Sequence, residues 1–381
     1  MTAGDMTAGI APGITRERAE PRTATGTATA SRGLPTALAL LTGSLLTLVG
    51  LTWDVQWHTD VGPDTFFTLP HLFLYAGSAV AGLASLGAVL AATAGQRAGR
   101  DPDPVVGGRP IAVLRVFSAP IGYLVAGCGA ASFLLYGLWD QWWHGLYGFD
   151  AVIDSPPHIG LLLSVMATLV GTVMVFAAAY RQTWGRVGTV TSLGILAAFS
   201  TIVVLGFSNV DGPVDAVSAA LSWLMVVLVV TAVGFARKPG LAVALAVALG
   251  IIQAVGWWFS PWVTHVYADA VGLPIRDYIR GVPVMPALMP MGLVLVAALV
   301  EVFAVAARRG NRWLPAVAGA LAGGLVAGFQ GVQNAWVYGY AVPPVGDLAP
   351  TVVAGAVLGL LAGFVGWRFG RMLRLVNPGK A

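Results

Sequence analysis

Charged side chains are scarce in this chain: Asp, Glu, Lys and Arg make up 10% of its 381 residues, while hydrophobic types make up 57%. A water-soluble protein of that length could not hide so much apolar surface. The single cysteine, Cys128, excludes an intramolecular disulfide and any thiolate cluster within one chain. The short alternating segments of a transmembrane β-barrel are missing. So is a Gly-rich phosphate cradle followed by Lys-Ser/Thr, which excludes ATP-driven transport by this chain. No haem or flavin motif is evident. Histidine is also rare, at five residues.

What the chain does have is long apolar runs. Ten of them, at about 35–54, 70–93, 111–138, 157–179, 187–207, 214–235, 240–259, 285–307, 313–335 and 350–370, predict an all-α, polytopic membrane protein. The first run is too long for a cleaved signal sequence, so it predicts a retained span. Residues 1–34, rich in Thr, Ala, Gly and Arg, predict a disordered cytoplasmic tail. A pI of 9.4 would suit nucleic acid, but the arginines fall in short loops, where they set orientation in the bilayer. Arg97/Arg100/Arg109, Arg181/Arg186, Arg237/Lys238 and Arg308/Arg309/Arg312 occupy alternate loops, and Arg368, Arg371, Arg374 and Lys380 close the chain. All share the side of the N-terminal tail, which predicts two cytoplasmic termini in the plasma membrane, with 371–381 as the second tail. Arg276 and Arg280, in a long outer loop over 260–284, break the pattern, and that loop is a candidate lid.

One stretch is written twice. Trp53-Asp54-Val55-Gln56-Trp57-His58 is followed by Pro70-His71; Trp139-Asp140-Gln141-Trp142-Trp143-His144 is followed by Pro156-Pro157-His158. Asp64 and Asp150 occupy matching places between, as do Gly62 and Gly148. Duplicated helical hairpins are expected, about 35–93 and 111–180, ahead of the remaining spans in 181–370. On a helix, Asp54/His58 and Asp140/His144 share a face at i and i+4, and His71 and His158 open the next span. A carboxylate and two imidazoles make a minimal metal site. A carboxylate at the membrane boundary needs a cation or donor to compensate it. Asp64 and Asp150 are candidate further ligands, or acceptors that orient a ligand imidazole. Trp53, Trp57, Trp139 and Trp143 keep fixed offsets from the ligands and are candidates for an apolar wall, beside the general reading of an interfacial aromatic belt. Open alternatives are a hydrogen-bonded helix end and an Asp/His proton relay.

Asp54-x3-His58-x12-His71 resembles the Asp-x3-His-x12-His metal motif in the C subunit of copper membrane monooxygenases, which include particulate methane and ammonia monooxygenases. The second copy has one inserted residue. The resemblance covers about a tenth of the chain. It implies copper, with zinc or iron as alternatives, at Asp54, His58 and His71 and equally at Asp140, His144 and His158. It also implies oxidation of a small apolar substrate at the outer face, electrons from a quinol or a partner subunit, and assembly as a homo- or hetero-oligomer. The family's C subunit has fewer spans and works with two other subunits. A copper or zinc carrier, a proton-coupled transporter and a metal-dependent membrane hydrolase or glycosyl transferase are the other function classes. Elsewhere, Glu301 is a candidate functional or Arg-paired carboxylate, and Arg115 is expected to snorkel from span 3. Gln253, Gln330, Gln333 and Asn334 read as hydrogen-bonding glue between helices.

Overall fold

A computed structural model describes residues 33–148, 153–307, 310–311 and 313–376. Among these, ten helical segments are long and apolar enough to cross a bilayer, and the chain is a multi-pass, all-α membrane protein. The helices are α1 Leu34–Asp60, α2 Leu69–Arg97, α3 Ile121–Tyr147, α4 Pro156–Ala178, α5 Thr183–Val203, α6 Ala216–Phe235, α7 Leu241–Val271, α8 Val284–Leu288, α9 Leu293–Ala307, α10 Leu314–Tyr338 and α11 Val345–Leu373. The short α8 and α9 together form the eighth span. Residues 1–32 of the expected N-terminal tail, Arg308, Arg309, Arg312 and residues 377–381 lie outside the described residues, and Leu34, the tail's expected last residue, already opens α1.

Proline and glycine punctuate these helices. Proline sits in the first turn of α1, α2, α4 and α10, where its missing N–H has no intrahelical partner to lose. Gly148, Gly272 and Gly339 end α3, α7 and α10 with positive φ. Where the sequence predicts a third span from 111, the chain instead forms an antiparallel ribbon, β1 Pro110–Val113 paired with β2 Phe117–Pro120. Pro110 and Pro120 bracket it, and α3 begins only after Pro120. Arg115 therefore occupies the ribbon's turn, at φ 58°, rather than a span.

The duplication reaches beyond the repeated motif. α1 packs mainly on α2, and α3 on α4. Gly43 and Gly129 each lie eleven residues before the repeat's aspartate. A Cβ on Gly43 would meet the Gly77 carbonyl oxygen at 2.7 Å; one on Gly129 would meet that of Ser164 at 2.7 Å. Each helix pair is thus pressed backbone to backbone at the same place.

Two spans depart from their expected form. α7 continues through Pro261 to Val271, twelve residues past the expected end. Ser260, Thr264 and Ala268 stay on one buried face, and Ala268 packs with Trp57 and Val61 of α1's end. His265 consequently lies on a helix, not in a loop. The eighth span is broken between Leu288 and Leu293, around Pro290, which leaves backbone groups there without helical partners. The spare glutamines repair it. Gln253 donates to the carbonyls of Pro286 and Met289 at 2.8 and 2.9 Å. Gln333 donates to Ala287 and Met289 and accepts from the Met291 N–H at 2.7 Å. Gln330 joins Asn334 at 3.0 Å. Broken backbone at membrane depth persists only when neighbours satisfy it. Replacing Gln333 with leucine strands the Ala287 carbonyl and the Met291 N–H, while the Met289 carbonyl keeps Gln253, so a loss of about 2–4 kcal/mol is expected in reversible unfolding in detergent. Glu301 serves a similar end: its Oε1 accepts from the N–H groups of Gly240 and Ala242 at 2.9 Å each, capping the start of α7 from α9.

Candidate metal centre

The first centre lies where α1 ends and α2 begins. One turn of α1 stacks Asp54 under His58, the connecting loop brings Asp64, and the first turn of α2 presents His71. Nε2 of His71 is 3.0 Å from Asp54 Oδ1 and 3.3 Å from Asp64 Oδ2. Nε2 of His58 is 3.8 and 3.1 Å from the same two oxygens. Both oxygens are buried, and neither receives a hydrogen bond of satisfactory direction. Two acids and two imidazoles therefore crowd together without the 2.7–2.9 Å contacts of a well-formed charged pair. Around a tetrahedral ion with bonds near 2.1 Å, ligand atoms stand roughly 3.4 Å apart, and the four distances here bracket that value. His71 Nδ1 is 2.9 Å from the Thr65 carbonyl, which can only accept. Nδ1 therefore carries a proton, and Nε2 is the nitrogen that faces the acids, donating to them while protonated and free to ligate once it is neutral.

The second centre repeats this plan. His144 Nε2 and His158 Nε2 are 3.4 and 3.3 Å from Asp140 Oδ1, and His144 Nδ1 is 3.0 Å from the Gly148 carbonyl. Gly148 closes α3 and fixes the imidazole in the same turn. Its counterpart Gly62 likewise has positive φ, at 101°. In both centres the candidate donor atoms fall within 4.8 Å of one another. Asp150, the predicted counterpart of Asp64, lies outside the described residues.

Both centres line one cavity of about 410 Å³. Leu51, Leu74, Leu162, Val165 and Phe199 are part of its apolar wall. Tyr75 also lines it, close enough to feel the charge of Asp54, Asp64 and Asp140. The four flanking tryptophans lie elsewhere. Trp53 and Trp57 are buried against Tyr267 of α7, with ring centres 5.5 and 4.9 Å apart. Trp57 Nε1 donates to the Pro63 carbonyl at 2.9 Å, which pins the loop just before Asp64. Trp139 is exposed and meets Trp143 edge to face.

Support for the first centre comes from the segment after α7. A helix leaves its last four carbonyls without intrahelical partners. At the end of α1 all four are satisfied. The Trp57 carbonyl accepts from Val61 and Gly62. Those of His58 and Thr59 accept from the Arg276 guanidinium at 2.9 and 3.0 Å. That of Asp60 accepts from the Arg276 N–H at 2.8 Å. The guanidinium lies against the Gly62 Cα, where any Cβ would collide with it. Gln56 adds a second tie, holding the Asp60 carboxylate at 2.9 Å and accepting from the Val284 N–H at 3.0 Å. The long loop therefore acts on the site as a clamp on the ligand-bearing helix end. Only the unexpected basic charge of Arg276, on the side otherwise poor in arginine, marked it in the sequence. Comparison of the chain with protein-family models, with curated proteins and with solved structures gave no match.

Proposed function

We propose that the chain is a membrane metalloprotein acting as a copper-dependent oxidoreductase on a small apolar substrate, in the manner of the copper membrane monooxygenases its repeated motif resembles. The observation that carries this reading is the shared cavity: two like ligand groups open into one largely apolar space. Imidazole with carboxylate suits copper, zinc or iron, and a set of three protein ligands leaves a position open for an exogenous one. Bound copper would supply one-electron chemistry toward dioxygen. The chain's own groups do the rest. Asp54 and Asp64 offset the charge of a divalent ion, the Thr65 and Gly148 carbonyls hold imidazole tautomers, and the leucines and Phe199 keep water scarce. Electrons are assigned to a quinol or a partner subunit. The arginine distribution favours cytoplasmic termini and centres on the extracytoplasmic side of the plasma membrane.

Protein purified in lipid is expected to carry about two ions per chain, reducible by quinol and reoxidised by dioxygen. Copper that quinol does not reduce favours a metal carrier. Metal-free protein recovered from metal-replete membranes overturns the reading and leaves the carboxylate–imidazole groups as a proton relay. Imidazole ligates only when neutral, so binding must weaken as pH falls. Equilibrium dialysis is expected to show the ion lost progressively as the buffer is made more acidic, and retention of the ion at acid pH would argue against imidazole ligation.

A further inference from the structure

A second hollow runs along the outside of the bundle between α2 and α3. It holds about 860 Å³ and opens toward the lipid-facing surface, where Leu83, Leu86, Leu134 and Leu138 are all more than half exposed. Its walls are apolar. Ser85, one of its few polar groups, spends its hydroxyl on the Ala81 carbonyl at 2.8 Å. Three residues, Phe66, Tyr75 and Phe133, line both this groove and the metal cavity. The partition is therefore one layer of aromatic rings. Phe66 and Tyr75 are tilted with centres 5.0 Å apart, and Tyr75 and Phe133 stand 6.3 Å apart. Side-chain rotation in this single layer is the movement that would open it.

We propose that small apolar molecules dissolved in the bilayer enter the metal cavity sideways, along the α2–α3 groove and past the Phe66–Tyr75–Phe133 partition. The chemistry of the walls selects the guest: the groove offers no charged group and little hydrogen bonding, so polar solutes gain nothing there. The 410 Å³ beyond the partition gives room for a guest of about ten non-hydrogen atoms. The inference deepens the oxidoreductase reading by giving its small apolar substrate a path, and it rests on that reading only for what happens after entry.

Cys128 lines the groove, is exposed and is the chain's single cysteine, so the groove can be blocked chemically. The test is photolabelling of the full chain in lipid vesicles with the apolar carbene precursor 3-trifluoromethyl-3-phenyldiazirine. Leu162 and Val165 of the cavity wall are 9% and 5% exposed, so insertion there reports passage through the partition. Labelling of both is expected in native protein and expected to fall at least tenfold after alkylation with N-cyclohexylmaleimide. Cys128→Ala should make labelling indifferent to the maleimide, and Ala131→Trp should reproduce the block without alkylation. Phe133→Ala should raise inner labelling several-fold. Absence of label at Leu162 and Val165 in native protein, or label unchanged by both blocks, overturns the proposal. Labelling needs no metal, so a metal-free protein would defeat the oxidoreductase reading and leave the route standing.

Discussion

Replacing His58 and His144 together by alanine is expected to empty both centres, taking bound metal from about two ions per chain to a small residue. Each single replacement should remove one ion and leave the other. The expectation follows from how the groups are built. In each centre the imidazoles meet around shared carboxylate oxygens at 3.0–3.8 Å, and among the described residues no further His, Cys, Asp or Glu joins either group. Losing His58 also removes one of the two imidazoles that face Asp64, which makes the remaining group a poorer cage still. Elemental analysis of detergent-purified protein, with circular dichroism to confirm retained helix, reads the result directly. Full occupancy in the double variant would mean that the acids and imidazoles do not hold the ion.

Arg276→Ala is expected to weaken metal binding at the first centre by about 10–100-fold and to leave the second unchanged, the range typical when a group that orients a ligand is lost. The guanidinium touches no ligand atom. It holds the carbonyls of His58 and Thr59, so its loss frees the last turn of α1 and with it the angle at which His58 meets Asp54 and Asp64. Gly62→Ala should have the same effect from the other side, because a Cβ there takes the place of the guanidinium. Chelator competition in a His144→Ala background isolates the first centre. Equal weakening of both centres, measured in the otherwise native chain, would show that the change is general unfolding and not loss of the clamp.

Much of this architecture is legible in the residues because membrane helices and metal ligands both impose strict patterns. The apolar runs, their number and the duplicated hairpins follow from length and spacing alone. The i, i+4 spacing of Asp54/His58 and Asp140/His144 foretells a shared helix face, and the structure adds His71 and His158 across the hairpin as expected. Asp64, readable either as ligand or as orienting acceptor, stands among the candidate donor atoms. Legibility fails where long-range packing decides. The extension of α7 past Pro261 depends on Ala268 meeting Trp57 and Val61, residues some two hundred positions earlier in the chain. The ribbon at 110–120 replaces helix because two prolines outweigh apolar content. The clamp by Arg276, the glutamine repair of the eighth span and the single cavity uniting the two centres all join segments whose proximity no local pattern encodes.

The matched glycines at Gly43 and Gly129 make each hairpin self-contained: a close helix pair and a whole carboxylate–imidazole group lie within one hairpin, not shared between two. Their surroundings differ, for the tryptophans of the first are buried against α7 and Trp139 of the second is exposed. A substitution in one hairpin can thus change that group's setting and leave the other group's side chains intact.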